Sequence, residues 1–302
     1  MQQSTKPTEM KSEQLLPSLE KKSLRSRIAA FLNYSEQGYL LYAFLIPVVL
    51  MYLIYLAMGL HPFGDGSVLV LDLNGQYVSF YEMLREAVHG DTSLIYSFER
   101  ALGGEFMGIY AYYLASPFSY IVALFPRERI LEALLTIFLL KSGLCGFTMG
   151  WYLHKNTQAD CRNKVSIVLF SILYAMSAYC VVQQHNSMWI DAVIWLPILA
   201  YAIEQLIKHG KFKLFVIFLS LTLCSNYYIG YMCCIFVAAY FFYYFFAHNE
   251  KLNGSEHTAN NPRGERDHFR KSFIRIAFYS ILAIGMSSII VFTAYYSLKF
   301  GK

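Results

Sequence analysis

Few side chains in this 302-residue chain are placed to do chemistry. Asp72 opens the run Asp72-Leu73-Asn74-Gly75-Gln76-Tyr77, inside the acidic stretch Gly66 to Leu84. A carboxylate there can take a proton from a hydroxyl or hold a divalent metal ion. Gln76 falls one helical turn later if a helix starts at Asp72, where it can orient that carboxylate; capping or plain solvation explains it equally well. Lys141 sits about eleven residues from either end of an apolar run, at a depth where a charge costs roughly 2.5 to 3.5 kcal/mol and usually faces a protein or water-filled interior, as a contact to an anion, an internal ion pair or a snorkelling side chain. Asn186 and Asp191 follow Gln183, Gln184 and His185 at the start of another apolar run, where the helix dipole also favours a carboxylate. Asn226 and Tyr228 belong to a short polar break, Ser225-Asn226-Tyr227-Tyr228. A loop aspartate is ordinarily only solvated, so a role for Asp72 depends on what positions it.

Composition says where these groups operate. Hydrophobic residues make up 56% of the chain and charged residues 15%, more apolar and less charged than soluble domains, and the apolar residues fall into runs long enough to cross a bilayer. The net charge of +5 does not form a stripe that follows a phosphate backbone, which excludes nucleic acid as a partner. Cys145, Cys180, Cys224, Cys233 and Cys234 lie in apolar runs and Cys161 in a loop, with no disulfide framework or zinc spacing. No phosphate-cradling glycine loop or nucleophile elbow is present, which argues against an ATPase or a protease.

Residues 1–38 read as a cytoplasmic basic tail without a cleavable signal, with Lys21, Lys22, Arg25 and Arg27 ahead of the first span, Tyr39 to Leu60. The loop 61–129 then falls outside. It is acidic, and Tyr77, Tyr81, Leu84 and Val88 recur at helical spacing opposite Ser79, Glu82, Glu86 and His89, which predicts an amphipathic helix on the membrane surface bounded by Gly90-Asp91. Phe106 to Phe125, interrupted at Ser116-Pro117, decides the rest of the topology. Were it a full crossing, the basic loops 154–164, 208–213 and 248–271 would all lie outside, against the positive-inside rule. We therefore read it as re-entrant. The later spans are expected at Ile130 to Tyr152, Val165 to Val182, Trp189 to Ile207, Phe212 to Ser225, Ile229 to Phe246 and Phe273 to Leu298, with a hairpin turning at Asn226-Tyr227-Tyr228. The fold class is an all-α integral membrane protein, a polytopic bundle of about seven transmembrane helices with surface and re-entrant helices in the first external loop. Residues 39–302 form its membrane domain, and Asp72, Asp191 and Asn226 are placed on one membrane face.

The pieces Asp72-Leu73-Asn74-Gly75-Gln76-Tyr77, Leu102-Gly103-Gly104, Ser116-Pro117-Phe118, Asn186-Ser187-Met188-Trp189-Ile190-Asp191 and Ser225-Asn226-Tyr227-Tyr228-Ile229-Gly230 resemble, in order and spacing, the bacterial YfhO membrane protein family from about residue 37 onward. That family in turn resembles the GT-C superfamily of polytopic glycosyltransferases, which take a sugar from a polyprenyl-phosphate carrier and use a carboxylate in the first external loop. Members are implicated in glycosylating teichoic acids at the outer face of Gram-positive membranes. The resemblance implies Asp72 as the catalytic group and as the metal holder if a divalent ion takes part. It implies a lipid-linked sugar donor, a cell-wall polymer acceptor and further membrane subunits as partners. Gln76, Lys141, Asn186, Asp191, Asn226 and Tyr228 are the substrate-binding candidates. Lys141 would touch the carrier phosphate or form an internal ion pair, and Tyr227 and Tyr228 would stack on sugar rings or belong to the interfacial aromatic belt. Family members are longer, so the chain is expected to be truncated relative to them. A transporter or flippase with Lys141 on its path, or a non-catalytic envelope scaffold, are the readings from other classes.

Overall fold

A computed structural model describes residues 38–99, 102–158, 163–248 and 262–300. Lys21, Lys22, Arg25 and Arg27 of the tail, Arg100, Cys161, Arg162, and Lys251, Asn253-Gly254 and Asn261 of the basic loop lie outside the described residues. Helix α1 (Leu40–Ala57) is apolar on every side, and Pro47 lies on its one buried face. After it come a π-helical turn (Leu73–Tyr77), α2 (Val78–His89), a two-residue ribbon of β1 (Tyr96–Ser97) with β2 (Gly104–Glu105), and α3 (Met107–Ile109), which continues as a second π-helical turn (Tyr110–Leu114). A 3-10 helix (Pro117–Leu124) leads back to α4 (Ile130–Asn156). The rest of the chain is α5 (Lys164–Ala175), α6 (Ala178–Val182), α7 (Ser187–His209), α8 (Lys213–Ser225), α9 (Tyr227–Ala247), α10 (Pro262–Met286) and α11 (Ser288–Phe300).

The protein is an all-α polytopic membrane protein. Helices α1, α4, α7 and α9 are each long and apolar enough to cross a membrane, and counting each bent pair as one span brings the number to 7. Within their most apolar windows α4 is 61% and α7 67% buried, against 28% for α1 and 33% for α9, so α4 and α7 form the middle of the bundle. The outer faces of α1 and α9 carry exposed Leu45, Val49, Leu53, Tyr231, Ile235 and Tyr243, as lipid contact requires. Helix α1 approaches α4 closely along a line of small residues. A Cβ on Gly146 would stand 2.1 Å from the Ala43 carbonyl oxygen, and one on Gly143 2.7 Å from the Phe44 ring. Between membrane helices such close backbone packing supplies the attraction that hydrophobic burial cannot.

The stretch expected to be re-entrant is bent by 102° between Met107–Leu114 and Pro117–Leu124. Two arms of roughly 12 and 16 Å at that angle do not reach across a core of about 30 Å. The hairpin expected near residue 226 is also present: Asn226 ends α8 in an extended conformation, and its Oδ1 accepts from the Ile229 amide to cap α9, so Tyr227 and Tyr228 begin the helix.

Other expectations need correction. Glu86 does not face solvent; it is 8% exposed and pairs with Arg127 at 3.1 Å, while Arg85 Nε donates to the Phe125 carbonyl at 2.8 Å. Helix α2 packs on the re-entrant segment and buries Tyr81, Met83, Leu84 and Glu86. The span expected at Val165 to Val182 is broken by 43° after Ala175. The helix that carries the last span starts at Pro262, inside the expected loop 248–271, and the span bends by 67° around Ser287.

Gly146→Ala is expected to lower the unfolding midpoint in detergent by the equivalent of about 1 to 3 kcal/mol, because the new methyl displaces α1 backbone. Gly285→Ala is its control, since no atom lies within 4 Å of a Cβ there. Equal effects of the two would contradict the packing described.

Candidate functional site

Leu71 has φ +50, a left-handed conformation that is costly for a branched side chain and that turns the chain sharply just before Asp72. Asp72 then starts the π-helical turn with its side chain exposed. In a π turn, residues five apart are brought into register. Tyr77, and not Gln76, therefore reaches the Asp72 carboxylate, with its hydroxyl 3.2 Å from Oδ2. Gln76 is exposed.

The Tyr77 hydroxyl is also 3.2 Å from Asn186 Oδ1. Asn186 is buried at the start of α7, and its Nδ2 donates to Gln183 Oε1 at 2.8 Å and to His185 Nε2 at 3.0 Å. His185 Nδ1 lies 2.9 Å from the Val182 carbonyl oxygen, so Nδ1 carries the proton and Nε2 accepts. With both amide protons used, Asn186 is fixed with its oxygen toward Tyr77. One hydroxyl proton thus serves two acceptors, Asp72 and Asn186. Burial, and after it the Asp72 charge, push the Tyr77 hydroxyl well above its ordinary pKa, so it stays protonated as a donor.

Lys141 and Asp191 face each other. Their charged atoms are 2.8 Å apart, with side chains 3% and 0% exposed, and Lys141 Nζ donates to the Ser187 carbonyl at 2.7 Å. Phe118, at the turn of the re-entrant segment, places its ring 5.5 Å from Nζ. Asp191 thus lies in the first turns of α7 as expected, but its explanation is the lysine and not the helix dipole alone. The α2 residue Tyr81 is buried near the same place; burial raises its hydroxyl pKa to about 12, and the charge of Asp191 adds to that. Neither charge of the pair opens to the surface. The space beside them is about 10 Å³, close to the volume one water needs.

Asn226 comes to the same end of the bundle, where its Nδ2 donates to the Tyr112 carbonyl at 2.8 Å and ties the α8–α9 turn to the second π turn. Tyr112 and Tyr227 meet edge to face at 5.5 Å, and Tyr113 packs on Tyr77 at 5.0 Å. Tyr228 is exposed. Two cavities open here. One, about 260 Å³, is lined by Gly108, Tyr112, Tyr113, Tyr227 and Ser297. The other, about 240 Å³, runs between α1 and the polar turn and is lined by Tyr55, Val68, Val70, Val182, Gln184 and His185.

Sequence reasoning missed Tyr77 and Tyr113 as site residues, because helical spacing assigned Tyr77 to a buried face and nothing in the residue types announces a π turn. Among the described residues, no three of His, Cys, Asp and Glu come together in a way that could hold a metal ion. Asp72, with only neutral oxygens beside it, fits an ion shared with a substrate phosphate and not a cage made by protein alone.

Lys141→Met is expected to destabilise the protein by about 3 to 5 kcal/mol by leaving Asp191 buried and unpaired, while Lys141→Met combined with Asp191→Leu restores most of that loss. Unfolding of both variants in detergent checks this; a single variant as stable as the unaltered protein would show that the pair is not the constraint it looks to be.

Comparison with known proteins agrees with the architecture. Residues 43–302 match the family described as bacterial membrane protein YfhO. A Bacillus subtilis (strain 168) protein described as "Uncharacterized protein YfhO" is 26% identical over 201 residues, 60% of this chain and 22% of that protein, so the chain spans about a fifth of that relative. No solved structure matches. With an all-helical membrane bundle matched over nearly its whole described length, the chain belongs to the bacterial YfhO membrane protein family.

Proposed function

We propose that the protein serves as a membrane glycosyltransferase of GT-C type, moving a sugar from a polyprenyl-phosphate carrier to an external cell-envelope acceptor such as teichoic acid. The observation that carries this reading is the Asp72 carboxylate: exposed, set by a strained Leu71, and hydrogen-bonded by Tyr77, at the end of the bundle where an aromatic cavity and a largely apolar one open. The apolar cavity beside α1 suits the isoprenoid end of a carrier entering from the bilayer. The tyrosine-lined cavity suits a sugar, whose apolar ring face stacks on aromatic side chains.

In the transfer step Asp72 takes the proton of an acceptor hydroxyl as its oxygen forms a bond to the anomeric carbon. The bond from that carbon to the carrier phosphate oxygen breaks, and the phosphate leaves with the electron pair. Tyr77 orients the carboxylate in its ionised state, and its proton turns to Asn186 when Asp72 becomes protonated. Lys141 and Asp191 act as positioning residues, fixing Ser187 and so its neighbour Asn186. A transporter that uses Lys141 as part of a path gains no support from a lysine that is buried and paired beside a space of about 10 Å³.

Asp72→Asn is expected to lower sugar transfer and release of polyprenyl phosphate by about a hundredfold or more, the scale of a lost general base, at unchanged protein level. Tyr77→Phe is expected to cost about tenfold, the worth of one hydrogen bond to a charged group. Undiminished transfer in Asp72→Asn would remove the assignment.

A further inference from the structure

At the end of the bundle opposite Asp72, α7 stops and α8 starts again within Gly210, Lys211 and Phe212. Gly210 takes φ +66; its amide donates to the Leu206 carbonyl at 3.0 Å and that of Lys211 to the Gln205 carbonyl at 3.3 Å, which closes the helix end and fixes the turn. Beside this turn lies a cavity of about 480 Å³ lined by Tyr201, Gln205, Lys211, Phe212, Lys213 and Leu214. Arg275 of α10 stands beside Gly210, another lining residue, with Nη1 3.0 Å from where a Cβ on Gly210 would stand. Tyr279, one turn along α10, stacks flat on Phe212 at 4.4 Å.

Two lysines therefore line the cavity, and an arginine stands at its Gly210 edge. Among the described residues none of Lys211, Lys213 and Arg275 is ion-paired with a carboxylate. The buried acid of α7 at this end, Glu204, is taken up by Tyr152 at 3.0 Å, Asn156 at 3.1 Å and Tyr240 at 2.8 Å. The first amides of α8 add to the positive field, since Phe212 at its start offers no capping side chain. Below the charges the lining is apolar, and Phe212 and Leu214 are each 37% exposed.

We propose that this cavity binds the headgroup of an anionic glycerophospholipid, its phosphate among Lys211, Lys213 and Arg275 and an acyl chain along Tyr201, Phe212 and Leu214. Charge chooses the headgroup: unpaired basic groups between membrane helices attract anionic lipid. The apolar floor chooses a lipid over a dissolved phosphate ion, which would leave Phe212 and Leu214 bare.

The test uses the full chain purified in detergent, with bound lipid counted by native mass spectrometry and stability read from the unfolding midpoint. Phosphatidylglycerol is expected to bind and raise the midpoint, whereas phosphatidylcholine and inorganic phosphate at the same concentration leave it in place. Lys211→Gln, Lys213→Gln and Arg275→Gln, all at exposed side chains, are each expected to weaken phosphatidylglycerol binding about fivefold, while Asp72→Asn does not change it. Equal retention of phosphatidylcholine, a full shift with inorganic phosphate alone, or variants that bind as tightly as the unaltered chain would each overturn the proposal.

Discussion

The Lys141–Asp191 ion pair is the contact through which the half of the bundle that carries Asp72 is organised. Lys141 stands on α4 and Asp191 on α7, the two most buried of the long spans, and Phe118 brings in the re-entrant segment. A charge at that depth is tolerated only with a partner, so the pair fixes how the two central helices meet. Its third partner, the Ser187 carbonyl, lies next to Asn186, and from there the connection runs through Tyr77 to Asp72. A buried electrostatic requirement is thereby passed outward, contact by contact, to an exposed carboxylate.

The loop that carries Asp72 is itself a packed layer. Leu73, Tyr81, Leu84, Phe106, Leu114 and Val122 share one apolar cluster with Ala133, Leu134 and Ile137 of α4. Arg127 pairs with Glu86 beneath α2, and the Ser297 hydroxyl donates to Glu105 at 2.5 Å, joining the last helix to the ribbon. Rigid support on this scale suits a group that must hold a fixed direction.

Much of this was legible in the residues. Apolar run lengths revealed the spans, and the positions of Lys and Arg revealed the alternation that carries Asp72, Asn186 and Asn226 to one end. The isolated Lys141 announced that a counter-ion had to exist. What stayed hidden depends on contacts between distant segments or on local backbone geometry. Glu86 reads as solvated until Arg127 is folded beneath it. Tyr77 reads as core until a π turn changes which neighbour faces Asp72. The bend at Ser287 has no proline or glycine at the break itself to announce it. The resemblance to the YfhO family supplied the choice of Asp72 among several acidic residues of the loop, which spacing alone did not make.

The two ends of the bundle have different chemistry: carboxylate, amide and tyrosine around Asp72, and, around Gly210, lysine and arginine that pair with no carboxylate among the described residues. Transfer to an external acceptor requires that they lie on opposite sides of the membrane. The most direct measurement is labelling of Asp72→Cys, Tyr228→Cys and Lys211→Cys in intact cells with a membrane-impermeant thiol reagent. Cysteines at 72 and 228 are expected to label from outside and the one at 211 only after the membrane is opened. Protection of position 72, or labelling of 211 together with it, would contradict a site assembled on the external face.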